Sequence, residues 1–131
     1  MNIEMFSGLR PDVIVPNPTF MTDGSLGHTE LVVKAAEKED IYTNWEFWPT
    51  GPRKTATTPP HGTSYAEKEA KADSLIPLLE LDPELDVYGL GVLVYDDVCT
   101  TGLQLDRVAR FLMERGASSV EGIVMARTPW D

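Results

Sequence analysis

At 131 residues the chain has the size of one ordinary domain, and we expect a single domain over residues 1–131. Its formal net charge of −10 argues against strong nucleic-acid binding, because a protein that neutralises phosphates needs a basic face. No apolar run approaches the ~20 residues of a membrane-spanning helix, and the start of the chain lacks the pattern of a signal peptide. The single cysteine excludes an internal disulfide and favours a cytoplasmic location.

An apolar run near the start predicts the first buried strand. It covers residues 12–16 (DVIVP), and the prolines at its end cannot continue a hydrogen-bonded ladder. Residues 19–25 then predict a loop, and residues 26–38 predict a helix. His28 is interpreted as a polar residue of the first turn rather than as a catalytic base. The buried side of this helix is assigned to four apolar residues: Leu31, Val32, Ala35 and Ala36.

Two unusual segments follow this helix. Residues 41–48 (IYTNWEFW) are rich in aromatic residues and predict a second strand. Its aromatic side chains are interpreted as core or subunit contacts, which leaves a homodimer open: Trp45, Phe47 and Trp48. Residues 49–63 are rich in proline, glycine and threonine and predict a mobile surface loop rather than a packed element. Arg53 and Lys54 in this loop are a basic pair in an acidic chain, and they are either ligand-binding cations or solvated charges.

The second half of the chain predicts further elements around a central strand. Ser64 and Glu67 form a capping box that begins a helix, which Pro77 ends or kinks. Residues 80–86 (ELDPELD) predict a polar turn that leads into the central strand. Residues 119–125 predict the last strand.

The central strand leads directly into polar residues. Residues 91–95 (GVLVY) predict a strand buried on both faces, which ends at Asp96 and Asp97. The turn at residues 98–102 (VCTTG) precedes a helix that begins at about Leu103. Ligands of open α/β sheets bind beyond the carboxyl ends of the strands, and a helix N-terminus binds phosphate. Because paired carboxylates suit sugar hydroxyls or a divalent cation, the pattern predicts a phosphorylated sugar as ligand.

The sequence VLVYDDVCTTG resembles the ribose-phosphate loop of type I phosphoribosyltransferases, which bind 5-phosphoribosyl-1-pyrophosphate (PRPP). The resemblance implies that Asp96 and Asp97 hold the ribose 2′- and 3′-hydroxyls and contact Mg²⁺ through the substrate. It implies that the 5′-phosphate is wrapped by five residues: Val98, Cys99, Thr100, Thr101 and Gly102. After this glycine the family has a small residue and then Thr or Ser, whereas this chain has Leu103 and Gln104. Gln104 replaces the missing hydroxyl only if its amide turns towards the phosphate.

The resemblance also implies roles for two other loops. The family's loop after the first strand meets pyrophosphate, which makes Asn17 and Thr19 candidates, although a plain strand-to-helix connection explains them equally well. A flexible loop closes over the pyrophosphate in this family, and Arg53 and Lys54 are assigned as its catalytic cations. Residues 53–71 are similar to a segment of ComF-type phosphoribosyltransferases. The chain lacks their cysteine-rich metal module and their arginine-glycine-asparagine signature, so it resembles a reduced or diverged relative.

The alternation of strands and helices predicts a three-layer α/β/α fold with a mainly parallel twisted sheet. Four core strands are predicted, and a fifth in the loop region is left open. The implied function is transfer of phosphoribosyl from PRPP to a nucleobase or related acceptor, with Mg²⁺ as cofactor and pyrophosphate as product. The alternative is a non-catalytic PRPP or nucleotide sensor, or a partner-binding module, because no base-specificity segment is recognised. A receiver-like signalling domain fits less well, since receivers place their acids on separate strands.

Overall fold

The computed structural model describes residues 11–39, 44–56, 64–99 and 102–127. In chain order its elements are β1 (Val13–Pro16), α1 (His28–Glu39), β2 (Glu46–Phe47), β3 (Pro52–Lys54), α2 (Tyr65–Leu75), a 3₁₀ turn (Ile76–Leu78), β4 (Leu79–Leu81), β5 (Gly91–Cys99), α3 (Leu103–Glu114) and β6 (Ser119–Arg127). Within this part of the chain, no helix combines the length and the apolar character needed to cross a bilayer.

Four strands form one parallel sheet in the order β2-β1-β5-β6. The register pairs Val13 of β1 with Val92 of β5, and Pro16 with Tyr95. Since all four strands run in the same direction, their carboxyl ends meet at one edge of the sheet. The expectation of a mainly parallel sheet with four core strands is confirmed.

The hydrophobic core lies mainly on one face of this sheet. Alternate residues of β1 and β5 pack there against the end of α2 and one side of α3. The buried members of this cluster are Val13, Val15, Leu75, Leu79, Val87, Val92, Val94, Val108, Phe111, Leu112 and Ala117. The opposite face carries Leu93, which is 2% exposed, and α1 contacts β1, β2 and β5. Helices therefore cover both faces, which confirms the three-layer α/β/α architecture.

The predicted buried side of α1 is wrong. Leu31 is 51% exposed and both Ala35 and Ala36 are exposed, whereas Thr29 and Glu30 are buried. Val33 is the apolar residue of this helix that is fully buried. Hydrogen bonds from the loop after β1 hold the Thr29 and Glu30 side chains, and they turn this polar side of the helix inward. These polar contacts, and not the spacing of apolar residues, determine which side of α1 faces the sheet.

The prediction of an unstructured loop over residues 49–63 is wrong for its first part. β3 pairs antiparallel with β4, so that Arg53 lies opposite Glu80. β4 in turn begins before the predicted polar turn and overlaps its first residues. The two strands form a sheet of their own rather than a fifth strand of the main sheet. Backbone hydrogen bonds and the burial of Leu79 stabilise this pairing despite the weak strand propensity of the sequence. The rest of the predicted loop, residues 57–63, lies outside the described part of the chain.

Several local predictions are confirmed. The Ser64 side chain accepts a hydrogen bond of 3.1 Å from the Glu67 backbone N–H, as a capping box requires. Pro77 lies in the 3₁₀ turn that ends α2, and α3 begins at Leu103. The second strand is shorter than predicted, at two residues, and residues 41–43 are outside the described ranges.

A matched pair of leucine substitutions tests the packing of the two helices. Leu112→Ala on α3 removes a fully buried side chain, so we expect it to lower the free energy of unfolding by about 2–5 kcal/mol. Leu31→Ala on α1 removes a half-exposed side chain, and we expect a change within about 0.5 kcal/mol. Urea unfolding of both variants measures the difference. Equal losses would contradict the observed orientation of α1.

Candidate functional site

Strands of unequal length create a step at the carboxyl edge of the sheet. β1 ends at Pro16, which pairs with Tyr95, while β5 continues to Cys99 because β6 pairs with it as far as Arg127. The predicted end of the central strand at Tyr95 is therefore wrong. Asp96 is the first residue of β5 beyond the end of β1, so its side chain lies at this step.

Asn17 occupies the step beside Asp96. Its side-chain Nδ2 donates a hydrogen bond of 3.2 Å to Oδ2 of Asp96, and its backbone N–H donates one of 2.7 Å to the Tyr95 carbonyl. Asp96 is 8% exposed and Asn17 is 9% exposed. The structure thus brings together two of the residues that the sequence singled out. Asn17 holds the Asp96 carboxyl group in place from the end of the neighbouring strand.

The pKa of Asp96 is raised to about 6, first by burial and then by a hydrogen bond with Asp97 and the negative charge of Asp97. Tyr95 has a raised pKa as well, first through burial and then through the charges of Asp97 and Asp96. Asp96 therefore carries a proton at mildly acidic pH.

Asp97 is the more accessible acid, with a side chain that is 36% exposed. Nε2 of His28, in the first turn of α1, lies 3.6 Å from Oδ2 of Asp97. The interpretation of His28 as a first-turn residue is confirmed, but sequence reasoning did not place it beside the acids. The contact could have been inferred from the topology, because the helix that follows β1 begins at the same edge of the sheet at which β5 carries its acids.

The loop after β1 is held by a buried carboxylate that sequence reasoning missed. Glu30 of α1 accepts hydrogen bonds from the Thr19 backbone N–H at 3.0 Å and from the Thr19 hydroxyl at 2.7 Å. The Thr29 hydroxyl lies 2.7 Å from the Asn17 carbonyl oxygen and 2.9 Å from Glu30. A Cβ at Gly27 would lie 1.8 Å from the Thr19 hydroxyl, so this close approach requires glycine. The described donors of Thr19 are thus directed at a carboxylate of the protein itself.

The predicted phosphate-binding turn is only partly described. Val98 and Cys99 belong to β5 rather than to a turn, while Thr100 and Thr101 lie outside the described residues. Gly102 precedes α3 with a φ of 80°, a left-handed conformation that suits glycine. The first turn of α3 contains Leu103 and Gln104, which are both half-buried. The phosphate-binding role of these residues stays a prediction.

Arg53 and Lys54 lie in the second sheet, on β3, and not in the sheet that carries the acid pair. Arg53 is exposed and Lys54 is half-buried. Burial lowers the pKa of Lys54, and the positive charge of Lys71 on α2 lowers it further. The two lysines therefore lie near each other, which concentrates positive charge in an acidic chain.

The acid pair offers oxygen ligands, but not a complete metal site. Among the described residues, no group of three or more His, Cys, Asp or Glu side chains is arranged to hold a metal ion. Mg²⁺ is usually held by one or two carboxylates together with substrate phosphates and water. Asp96 and Asp97 fit a cation that the substrate helps to bind.

The pKa of Asp96 predicts how stability depends on pH. Because the folded state raises this pKa above the unfolded value, Asp96 contributes stability that is present below about pH 4 and is lost as the pH rises through about 6. We expect Asp96→Asn to reduce the loss of stability between pH 4 and pH 7 by up to about 3 kcal/mol, since one pKa unit corresponds to about 1.4 kcal/mol. Urea unfolding across this range measures the effect.

Asp23→Asn is the matched control for this titration. Asp23 lies in the exposed loop after β1, and its hydrogen bonds with Ser25 lower its pKa instead of raising it. We expect the control to leave the pH 4 to pH 7 profile close to that of the wild type. An Asp96→Asn profile that coincides with the control would show that Asp96 does not titrate as described.

The fold can be compared with that of known proteins. No protein-family model and no curated protein matches the chain. A hypoxanthine phosphoribosyltransferase from Staphylococcus aureus matches over 96% of this chain, with a TM-score of 0.52 and 12% sequence identity. One from Trypanosoma cruzi matches over 96% of the chain, with a TM-score of 0.48 and 17% identity. The chain spans 66% and 67% of the lengths of these two proteins. At such low identity the similarity to the first establishes the fold alone: a three-layer α/β/α fold like that of type I phosphoribosyltransferases.

Proposed function

We propose that the protein is a phosphoribosyltransferase that binds PRPP with Mg²⁺ and transfers the phosphoribosyl group to a nucleobase-like acceptor. The acid pair is the observation that carries this proposal. Asp96 is buried and held by Asn17, while the neighbouring Asp97 remains accessible at the same edge of the sheet. Adjacent carboxylates can accept hydrogen bonds from the two neighbouring hydroxyls of a ribose. The start of α3 lies a few residues further along the chain, where a 5′-phosphate would meet the backbone N–H groups of the first helical turn.

The proposed reaction replaces one bond at ribose C1 by another. A nitrogen of the acceptor attacks C1, the bond from C1 to the pyrophosphate oxygen breaks, and pyrophosphate leaves with the electron pair. The configuration at C1 inverts, and the acceptor nitrogen loses its proton to water or to the departing pyrophosphate. Asp96 and Asp97 orient the ribose so that C1 faces the acceptor. Mg²⁺, when bound with the substrate, neutralises charge on the leaving group.

The phosphate contacts and the cations complete the proposed site. We assign the 5′-phosphate to the segment from Val98 to Gly102, with Gln104 in place of the family's hydroxyl residue. We assign the pyrophosphate to Arg53 and Lys54, which are brought in by closure of their segment. Because β3 is hydrogen-bonded to β4, such a closure would move both strands together.

A non-catalytic PRPP or nucleotide sensor is the second candidate. The contacts of Thr19 favour it, because the donors that would meet pyrophosphate are directed at Glu30. The change to Leu103 and Gln104 after the glycine favours it as well. Membership of a ComF-like subgroup, a cytoplasmic location and a homodimer remain part of the proposal. A pyrophosphate-release assay across nucleobases separates the two functions, since a sensor gives no release with any acceptor.

Loss of one carboxylate tests the ribose contact. We expect Asp97→Asn to weaken binding of ribose 5-phosphate or PRPP by roughly 1–3 kcal/mol, the range for losing hydrogen bonds to a charged group. Calorimetry in the presence of Mg²⁺ measures the affinity. Glu69→Gln, at an exposed position on α2, is the control for a change of net charge and should leave the affinity unchanged. If the wild type binds neither ligand at millimolar concentration, the proposed function is wrong.

Replacement of the basic pair tests catalysis separately from binding. Arg53→Ala combined with Lys54→Ala should lower turnover much more than PRPP affinity, because a cation that stabilises departing pyrophosphate acts mainly in the transition state. Lys34→Ala combined with Lys38→Ala, at exposed positions on α1, makes the same change in charge. Pyrophosphate release and calorimetry give the two quantities. Unchanged turnover in the first variant would remove both residues from the mechanism.

A further inference from the structure

Glu30 is an acidic side chain in a place where a ligand anion is expected. It is 6% exposed, although an isolated buried carboxylate is costly. Its oxygens accept a hydrogen bond of 3.0 Å from the Thr19 backbone N–H, and the Thr19 hydroxyl lies 2.7 and 2.9 Å from the two oxygens. These contacts all direct a donor at the carboxylate. The loop after β1 therefore holds the Glu30 side chain through hydrogen bonds from Thr19.

This arrangement has the chemistry of an occupied anion site. A backbone N–H and a hydroxyl can donate hydrogen bonds to a phosphate oxygen. In this loop the donors of Thr19 already donate to the carboxylate of Glu30, from the first turn of α1. A phosphate group that approached Thr19 would have to displace Glu30 and would also meet its negative charge. The absence of a side chain at Gly27 is what lets this contact form so closely.

We propose that Glu30 is a specificity-determining residue that fills the anion-binding donors of this loop, so that the loop contributes little to binding the pyrophosphate of PRPP. The inference rests on the proposed function, in which the same site binds a 5-phosphorylated ribose. The ribose and its 5′-phosphate then supply most of the recognition on the main sheet. The pyrophosphate depends on groups elsewhere, such as Mg²⁺ and basic residues outside this loop.

The acids around the site reinforce this effect. Asp96 and Asp97 lie in β5 beyond the end of β1, and Asn17, in the loop that Glu30 holds, donates a hydrogen bond to Asp96. A pyrophosphate beside Thr19 would therefore meet the carboxyl group of Glu30, and Asn17 of the same loop contacts a second carboxyl group, that of Asp96. Substitution of Glu30 by glutamine removes one of these charges and frees donors, while it keeps the size of the side chain.

The test compares two ligands that differ only by the pyrophosphate group. Calorimetry with equal Mg²⁺ gives the affinities for ribose 5-phosphate and for PRPP in the wild type, in Glu30→Gln and in Glu37→Gln. Glu37 is exposed on the same helix, so its variant controls for net charge. We expect Glu30→Gln to raise PRPP affinity at least about fivefold and to leave ribose 5-phosphate affinity within about twofold, since a close charge acts on the added anion far more than a distant one does. The control should change neither affinity.

The outcomes separate this inference from the function on which it rests. If both ligands bind and their affinity ratio is the same in Glu30→Gln and the wild type, the inference is overturned and the proposed function stands. If the wild type binds neither ligand, the proposed function is overturned and the inference falls with it. An equal rise for both ligands also overturns the inference, because it shows a general effect of charge.

A measurement on the wild type decides the question if Glu30→Gln does not fold. In ¹⁵N NMR spectra, the Thr19 amide should shift no more with PRPP than with ribose 5-phosphate, because its N–H stays bonded to Glu30. The Gly102 amide, at the start of α3, should shift with both ligands. A Thr19 shift that is specific to PRPP would show that pyrophosphate does reach this loop, and it would overturn the inference.

Discussion

The unequal pairing of β5 with its two neighbours is the constraint on which the site depends. Prolines end β1 at Pro16, whereas β6 continues to pair with β5 as far as Cys99. This difference leaves a step at the carboxyl edge of the sheet, and Asp96 lies at that step beside Asn17. A β1 as long as β5 would cover Asp96 with backbone. The position of the site thus follows from the point at which the pairing of β1 with β5 ends. The valines that pack against α2 and α3 hold the two strands in that register.

The same step determines the electrostatics of the site. It buries one acid almost completely and leaves its neighbour accessible, so the pKa of Asp96 is raised by burial first and by Asp97 second. Buried carboxyl groups in an acidic chain reduce stability at neutral pH, and the hydrophobic core must offset that cost. A ligand that donates hydrogen bonds, or a cation, would relieve the repulsion between the acids. The unfavourable arrangement is therefore consistent with a binding role and has no evident structural purpose.

Short-range patterns in the sequence predicted much of the fold, while contacts between distant elements were not predictable. The strands of the main sheet and the Ser64 cap follow from apolar runs and from local side-chain chemistry. The rotation of α1 could not be predicted, because Glu30 accepts hydrogen bonds from Thr19 and Thr29 donates one to the Asn17 carbonyl, which buries these polar residues in preference to apolar ones. The β3–β4 pair depends on backbone bonding between segments about 25 residues apart, in which neither sequence favours a strand. His28 lies beside Asp97 because the N-terminus of α1 and the part of β5 that carries the acids lie at the same edge of the sheet.

The distribution of charge bears on the choice between enzyme and sensor. An enzyme must stabilise pyrophosphate more strongly as it leaves than while it is bound in the substrate, because equal stabilisation does not accelerate the reaction. Asp96 and Asp97 on β5 and Glu30 on α1 are all acidic, so under the proposed function none of them would stabilise the charge that develops on the leaving pyrophosphate. Arg53 and Lys54 lie in the second sheet, and the proposed mechanism needs a movement of β3 to bring them to the pyrophosphate. In the proposed site, the ribose contacts of Asp96 and Asp97 need no such movement, whereas catalysis would need a closure that brings cations to the acid pair.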